Sequence, residues 1–316
     1  MGQIPSEGHI NKALTNLAVN FRPTRFNLVA DNIMPRIPVD NQADDYYVYN
    51  KDDAFSLPDS RRGPKAEASE ATFGQSIDTF SCKDYAYKDL VLDKTLANAD
   101  VPLNPKGHTT QFLTDLLLLD RERRIASICT DVTKITKNTT MVGGDQWSDY
   151  VNSHPITAVE TARANLFFDP NTMIVPRLVH IKLRNHPDLL ERYKYTNANG
   201  VLTEQMLADL FEVENYIVAN AKYNSANPGQ PAVMTDVWGK DVVLAYVDPA
   251  PNLEIPSFGY TMEWKMAAVG GINGMRVREY RKEEIGGGGT IVEVDCSHDD
   301  KIVSTDLAYL FKAAVA

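Results

Sequence analysis

The longest helical pattern in the chain covers residues 109–136, and its two halves differ. Pro105 and Gly107 interrupt the chain before it, and Thr109 or Thr110 can cap its first free N–H groups. Apolar residues surround the first half on nearly all sides but form one stripe in the second, so we expect the first half to be covered on several sides. A helix of this length extends about 40 Å. The apolar positions are Phe112, Leu113 and residues 116–119 in the first half, and Ile125, Ile128, Cys129, Val132 and Ile135 in the second.

Five consecutive charged residues, 120–124, separate the two halves of this helix. Asp120 and Arg124 are four residues apart and therefore lie on one face, so an ion pair between them is predicted. Such a pair adds little stability in water, and it is more useful for fixing the register of the helix. A coiled coil is the simpler alternative, but no heptad pattern continues through the charged residues.

A strand is predicted at residues 46–49, and a longer, partly alternating strand at residues 71–92. The connection between them, residues 52–70, is polar and rich in turn-forming residues. Connections of this length are usually functional or disordered. Two interpretations stay open: a projecting two-stranded ribbon whose missing surface comes from another subunit, and a surface loop without fixed structure.

The pattern of residues 1–40 is typical of an arm and not of a domain. Residues 11–19 can form a short helix, and Pro23, Pro35 and Pro38 keep the following path extended. An arm of this kind needs a surface to lie on. We predict that an isolated copy of the chain does not supply that surface.

Residues 147–251 alternate between helical and strand patterns, which predicts a compact α/β unit. The predicted helices are residues 155–168, 187–193 and 203–211, with Thr203 as a cap, and the predicted strands are residues 172–175, 213–219 and 242–247. The tail adds predicted strands at residues 275–280, 290–296 and 308–311, with a hairpin turn at residues 286–289.

The composition is that of an ordinary soluble protein, with 43% hydrophobic and 23% charged residues among 316. This length suggests two domains or one elaborated domain. The 32 basic and 42 acidic residues give a net charge of −10, which argues against a broad surface that neutralises phosphate. Three distant cysteines, Cys82, Cys129 and Cys296, predict buried thiols in a reducing compartment. The sequence has neither a signal-peptide pattern nor an apolar run that could span a membrane, so we expect synthesis in the cytosol.

The familiar catalytic and metal-binding motifs are absent from the sequence. His180 and His186 are separated by six residues, which does not place them on one helical face, so no metal site is predicted. Residues 270–274, GGING, resemble a nucleotide-binding loop, but the next residues alternate like a strand instead of opening a helix, so a turn is predicted. Trp238 is interpreted as a core anchor. We therefore predict no catalytic residue, no metal and no cofactor.

Several segments from Asn171 onward point to a family. They are NTMIV, NHPDLLERYKYT, LADLFEVENYIVANAKYN, DVWGKDVVLAYV and PSFGYTMEW. In this order and spacing they resemble the major capsid proteins of tailed bacteriophages, which have the Hong Kong 97-type fold. The early stretch FRPTRFNLVADNIMPRIPVDNQADDYYVYNKDD and the ending DDKIVSTDLAYLFKAAVA are similar to the arm and the last strands of that family.

The resemblance implies an α+β fold with five parts. These are an N-terminal arm (residues 1–45), an extended β-hairpin loop that lies across the neighbouring subunit (46–82), a peripheral domain with a spine helix (83–146, helix 109–136), an axial α/β domain that meets its copies around hexamer and pentamer centres (147–256), and a return to the peripheral domain through β-strands (257–316).

The function that the resemblance implies is that of a shell subunit without enzymatic activity, which self-assembles into hexamers and pentamers and encloses DNA without reading its sequence. The implied partners are further copies of the chain, a portal, a scaffolding protein and, in some shells, a decoration protein. Because the arm begins almost at Met1, we expect the scaffolding protein to be separate. The implied location is a virion assembled in the bacterial cytoplasm, with no membrane partner. Some shells of this fold carry covalent links between Lys and Asn side chains, but no matching pair with a nearby acid is evident here, so none is predicted.

Charged residues at the loop tip and in the long helix are the predicted contacts between subunits, where they would fix the register of assembly. They are Arg61, Arg62, Lys65, Glu67, Glu70, Arg121, Arg123 and Arg124. Two alternatives stay open. One is an encapsulin-like compartment of the same fold around cargo enzymes, and the other is a soluble α/β enzyme with its site in residues 147–251.

Overall fold

The computed structural model describes residues 9–21, 27–48, 60–62, 67, 76–99, 104–193, 202–251, 256–283 and 287–316. The helices are α1 (Lys12–Asn20), α2 (Ala30–Ile33), α3 (Asp93–Ala97), α4 (Pro105–Cys129), α5 (Pro155–Asn165), α6 (Arg177–Arg184), α7 (Pro187–Tyr193) and α8 (Glu204–Phe211). The strands are β1 (His9–Ile10), β2 (Arg36–Val39), β3 (Ala43–Val48), β4 (Ser76–Ser81), β5 (Lys83–Leu92), β6 (Asn138–Thr140), β7 (Thr172–Pro176), β8 (Asn215–Ala219), β9 (Lys222–Asn224), β10 (Met234–Asp236), β11 (Val242–Ala245), β12 (Gly259–Trp264), β13 (Met275–Lys282), β14 (Gly289–Ile302) and β15 (Ala308–Lys312).

The long helix α4 is present, but both of its ends differ from the prediction of residues 109–136. It begins at Pro105 because the Asn104 side chain accepts a hydrogen bond from the Gly107 N–H at 3.1 Å, and proline fits a first turn that needs no N–H. It ends at Cys129 because the Asp131 carboxylate accepts bonds from the N–H and hydroxyl of Thr133, at 2.9 and 2.7 Å. This local turn competes with helix continuation.

The two halves of α4 are covered differently from the prediction. In the first half, Leu113 and Leu117 are buried, but Phe112 is 52% exposed, so that half is not covered on all sides. In the second half, Ile125 and Cys129 are fully buried as the stripe predicts. The predicted pair between Asp120 and Arg124 is confirmed.

A six-stranded sheet packs against the first half of α4. Its order is β1-β13-β14-β12-β2, and β5 also pairs with β14. Residues 289–296 of β14 pair with β13, residues 289–298 with β5 and residues 298–302 with β12, so β14 extends well beyond the predicted 290–296. The core between this sheet, α1 and α4 contains Leu14, Ala18, Val91, Leu113, Leu117, Met275, Val277, Val292, Val294 and Cys296.

A five-stranded sheet, in the order β6-β15-β11-β7-β8, forms the centre of the second half of the molecule. Because side chains alternate along a strand, its two faces contribute to two different cores. One face carries Met173, Val175, Val242, Leu244, Tyr309 and Phe311, and the other carries Ile174, Val243, Ala245, Ala308 and Leu310. The second core also contains Ile125, Ala126 and Cys129 at the end of α4, so α4 contacts both sheets.

Two strands of the five-stranded sheet, β6 and β15, lie outside residues 147–256 in the sequence. Residues 83–146 and 257–316 are predicted to form the peripheral domain, and that division stays a prediction. In the structure, β6 and β15 pair in the sheet that also contains β7, β8 and β11. The consecutive apolar residues of β15 pair antiparallel with the equally apolar β11, and both strands are buried. The chain therefore returns to the second sheet at its end.

The predicted ribbon is present at its base as β3 and β4, which pair antiparallel from Ala43 with Ser81 to Val48 with Ser76. We call these two strands the ribbon. The single strand predicted at residues 71–92 is two strands, because Cys82 interrupts it: its N–H donates to the Gln42 carbonyl and its thiol to the Met262 carbonyl. After Cys82 the chain changes partner from β3 to β14.

The arm prediction needs correction, because its described residues pack on their own chain. The helix α1, which its pattern predicts at residues 11–19, is capped by the Asn11 side chain and buries Leu14 and Ala18. The helix α2 lies in the second core, β1 pairs with β13, and β2 pairs parallel with β12. A single copy therefore supplies the surface on which these residues lie.

The predictions of a helix cap, of buried thiols and of a turn are confirmed. Thr203 caps α8, and the three thiols are buried and free. Residues 270–274 form a turn before β13, with positive φ at Gly270 and Gly274. No helix in the described part of the chain combines the length and apolar character that crossing a lipid bilayer requires.

Candidate functional site

Charged side chains converge where α4 meets the arm and the six-stranded sheet. Arg121, on α4, has only 4% of its surface exposed and donates to the Asp31 carboxylate at 2.6 Å and the Met34 carbonyl at 3.2 Å. It also donates to the Thr261 hydroxyl on β12 at 3.0 Å. All of these partners belong to the same chain. The structure therefore assigns Arg121 to the interior, which corrects its predicted role as a contact between subunits.

Asp31 links this cluster to β2, because it also accepts from Arg36 at 2.8 Å. Arg36 in turn bonds Glu263 on β12 at 3.0 Å. Partial burial acts to raise the pKa of Asp31, but the charges of Arg121 and Arg36 outweigh it and lower that pKa to about 2. For Glu263 burial dominates and raises the pKa. The cluster holds arm, helix and sheet of one chain in a fixed arrangement.

Glu122, the next residue of α4, is fully buried and joins three parts of the chain. Its carboxylate accepts hydrogen bonds from the N–H groups of Val29 and Ala30, at 3.1 and 2.8 Å, and from Trp238 Nε1 at 2.6 Å. Burial raises the pKa of Glu122, and the three donors and the Arg121 charge oppose that shift. The prediction that Trp238 anchors the core is confirmed, and its indole N–H is part of the anchor.

Arg124 lies on the other side of α4 and faces β5 and β14. Its guanidinium stacks over the Tyr85 ring, with 3.7 Å between the guanidinium carbon and the ring centroid. It donates to His298 Nε2 at 2.7 Å and pairs with Asp120. Burial, and then the charges of Arg121, Arg124 and Arg36, lower the pKa of His298 to about 2. His298 is therefore neutral at physiological pH.

An open cleft of about 660 Å³ lies beside this cluster. Lys83, Arg123 and Arg124 supply positive charge to its wall, and the rings of Tyr85 and Tyr223 flank them. Arg123 lies over the Tyr223 ring at 5.8 Å and is more than half exposed. The cleft offers charge and hydrogen bonds, but its lining contains no nucleophile paired with a base.

Five other predicted contact residues lie between β3 and β4 in the sequence, at the predicted loop tip. Arg61, Arg62 and Glu67 are exposed, whereas Lys65 and Glu70 lie outside the described residues. Arg123 is exposed as well, so these four described side chains lie at the surface, where the prediction of a subunit contact requires them to be.

The Ser153 hydroxyl oxygen and His186 Nε2 lie 2.9 Å apart. They form the only close Ser–His pair among the described residues of the unit 147–251. His186 Nδ1 accepts the Asp188 N–H, so the neutral ring carries its proton on Nε2 and donates it to Ser153. The Ser153 hydroxyl in turn donates to the Asp149 carbonyl. A histidine that donates to a serine cannot act as its base, so this pair is structural. Among the described residues, no group of three or more His, Cys, Asp or Glu side chains is placed to hold a metal ion.

Comparison with known proteins identifies the family. Residues 131–260 match the family model described as phage major capsid protein E. Over 315 residues the chain is 30% identical to the major capsid protein of Pseudomonas phage JBD67, and the match covers 97% of each chain. The chain belongs to the major capsid protein family of tailed phages. Membership of this family implies a structural, non-enzymatic role in the phage particle.

Solved structures give the same fold. A phage-related protein from Bordetella bronchiseptica RB50 superposes with a TM-score of 0.76 at 24% identity, covering 97% of this chain and 98% of that one. The capsid of cyanophage P-SCSP1u superposes with a TM-score of 0.61 at 10% identity, covering 92% and 90%. The fold is the Hong Kong 97-type fold of phage capsids, as the sequence resemblance implied. These findings favour the capsid prediction over the encapsulin-like and enzyme alternatives.

Asp31, Glu122 and His298 are not among the predicted site residues. A signal for Glu122 was present, because the stripe of Leu113, Leu117 and Ile125 continues through Arg121 and Glu122 at helical spacing. A charged pair on the apolar face of a helix indicates buried partners. No comparable signal marks Asp31 or His298, whose partners are distant in sequence.

Proposed function

We propose that the chain self-assembles into hexamers and pentamers that form the icosahedral head of a tailed phage. The observation that carries this proposal is the ribbon, seen together with the family match over nearly the whole chain. Neither ribbon strand pairs with a third strand among the described residues. A two-stranded sheet is marginally stable alone in water, so its outer part requires a surface from a neighbouring copy.

The side chains of the ribbon support this division into an inner and an outer part. Near its base, Tyr46 and Phe80 are buried against Ile37, Val39 and Tyr260 of the same chain. Further out, Tyr47 and Ile77 lie directly opposite each other, and Ile77 is 63% exposed. An exposed cross-strand apolar pair is typical of a surface that a partner covers.

The proposed partners are further copies of the chain, a scaffolding protein, a portal and, in some particles, a decoration protein. The shell encloses DNA and does not bind a specific sequence, which agrees with the net charge of −10. Synthesis and assembly take place in the cytoplasm of the bacterial host.

Electron microscopy of the purified chain tests the proposal, because it predicts closed particles. Particles purified from phage-producing cells should also contain nuclease-protected DNA, whereas a cargo compartment would contain protein and no protected genome. A small oligomer that never closes into particles would contradict the proposal.

We also propose that the tip residues set the register of assembly. The variant Arg61→Glu/Arg62→Glu should remain soluble and fail to close shells, because both exposed charges change sign. The matched control, Arg61→Lys/Arg62→Lys, keeps the charge and should still assemble. Normal particles from the Glu variant would contradict this role for the tip.

A further inference from the structure

The strand β5 is a long edge strand of the six-stranded sheet. Its ten residues pair with β14 in a regular register, from Lys83 with His298 to Leu92 with Gly289, and no other strand in the described part of the chain pairs with its second edge. Most of its side chains are exposed on both faces of the sheet. An unpaired edge of this length is a template for another strand, which proteins normally cover or protect with charge.

The charged side chains of β5 have no ion pairs within the described residues. Lys83, Asp84, Lys88 and Asp89 are exposed, and Asp89 bonds only the N–H of Leu90 next to it. One Lys-Asp pair precedes Ala86 and a second follows it, and one tyrosine separates each pair from Ala86, in the order Lys-Asp-Tyr-Ala-Tyr-Lys-Asp. Residues at equal distances from Ala86 therefore carry opposite charge, or are both tyrosine.

This order makes β5 complementary to a second, antiparallel β5. With Ala86 opposite Ala86 of a second copy, Lys83 faces Asp89 and Asp84 faces Lys88, and each of these contacts occurs twice. Tyr85 faces Tyr87 in the same register. Such a contact is isologous. Where one residue of the first copy faces a second residue of the other copy, the same two residues also meet with the copies exchanged.

Neighbouring registers lose this complementarity. A two-fold axis perpendicular to the sheet keeps each side chain on its own face of the sheet. Any alternative register must therefore place the axis at a different residue of β5. Centring on Asp84 or Lys88 places like charges opposite each other, and centring on Tyr85 or Tyr87 leaves all four charges unmatched. Ala86 is the one centre near the middle of β5 that matches every charge.

We propose that two copies of the chain pair through β5 about a two-fold axis at Ala86, which joins their six-stranded sheets into one continuous sheet. The proposal rests on the assembly of copies described under the proposed function, and it names one contact of that assembly. The small, exposed Ala86 allows the two backbones to approach at the axis.

A disulfide across the axis tests the register. Opposite Cα atoms of antiparallel strands lie about 4.5 or 5.5 Å apart, and both distances are within the range of a disulfide. Ala86→Cys should therefore give a covalent dimer on a non-reducing gel after mild oxidation of assembled particles. Lys88→Cys is the matched control, because two copies of residue 88 would lie roughly 13 Å apart along the strand. The native thiols are all buried and should not crosslink.

A charge exchange tests the contact without cysteine. Lys88→Asp places two acids opposite each other and should reduce assembly, whereas Asp84→Lys/Lys88→Asp restores opposite charges and should restore it. Both variants share any repulsion between residue 88 and Glu293 on the neighbouring β14, so the rescue reports the contact between copies.

The results separate this inference from the proposed function. A dimer from Ala86→Cys but not from Lys88→Cys, with rescue by the charge exchange, would support the pairing. Closed particles without an Ala86→Cys dimer would overturn the pairing and leave the shell function intact. An Ala86→Cys dimer from a chain that forms no particles would support the pairing and contradict the shell function.

Discussion

Acidification should destabilise the subunit through His298. This ring is buried beside the guanidinium of Arg124, and its pKa in the folded chain is about 2, against about 6.5 for an unfolded histidine. A lowered histidine pKa means that below pH 6.5 the unfolded chain binds a proton that the folded chain excludes. Stability should therefore fall as the pH drops below about 6.5, and it should continue to fall towards the folded pKa.

The size of the effect follows from the difference in bound protons. One proton contributes about 1.4 kcal/mol per pH unit once the unfolded histidine is fully charged, which gives about 1.7 kcal/mol between pH 6.5 and pH 5. Asp31 does not contribute in this window, because its lowered pKa matters only below about pH 4. The raised pKa values of Glu122 and Asp300 act in the opposite direction, since protonation on acidification favours the folded chain. The difference between wild type and a His298 variant is therefore the quantity to measure.

The assay is urea unfolding of the unassembled subunit at pH 6.5 and pH 5. His298→Gln keeps an acceptor for Arg124 and should lose about 1.7 kcal/mol less than the wild type over this range. His108→Gln, at an exposed position of α4, is the control and should behave as the wild type. Equal losses in the wild type and His298→Gln would refute the reasoning.

Three further substitutions test the buried hydrogen bonds of Glu122 and the exposed surface of the ribbon. Glu122→Gln should lower the unfolding free energy by about 1–3 kcal/mol, because the amide cannot accept from all three donors, and urea unfolding would measure it. Trp238→Phe removes one of those donors and should cost about 1–2 kcal/mol in the same assay, and no loss would show that the indole bond is unimportant. Ile77→Ser, on the exposed ribbon, should change the unfolding free energy by less than about 0.5 kcal/mol but slow particle formation in light scattering, and unchanged assembly would count against a covered ribbon.

The spacing of apolar residues predicted the elements whose buried side chains are apolar. The helix α8, with Thr203 as its cap, and the strands β7 and β11 have residues that face a core at regular spacing, and all three lie close to the predicted positions. The predicted end of β14 was wrong because residues 297–301 are polar and still belong to the sheet. Their polar groups find partners such as Arg124 and Thr261, which are distant in sequence.

The buried charges show most clearly what a sequence pattern does not give. Arg121 stands within a run of charged residues that is typical of an exposed helix face, and this pattern favours a subunit contact. Its burial depends on Asp31 and Thr261, which only the tertiary fold brings to it. The sequence of the arm likewise does not show the surface that it packs on, since the Glu122 carboxylate that accepts the hydrogen bonds of Val29 and Ala30 lies about 90 residues further along the chain.

Light scattering of the purified chain at high concentration tests the central claim most directly. A subunit whose outer ribbon is completed only by a neighbour should give particles of the mass of a closed shell. A chain that stays monomeric at this high concentration would contradict the account, because one copy would then satisfy its own exposed strands.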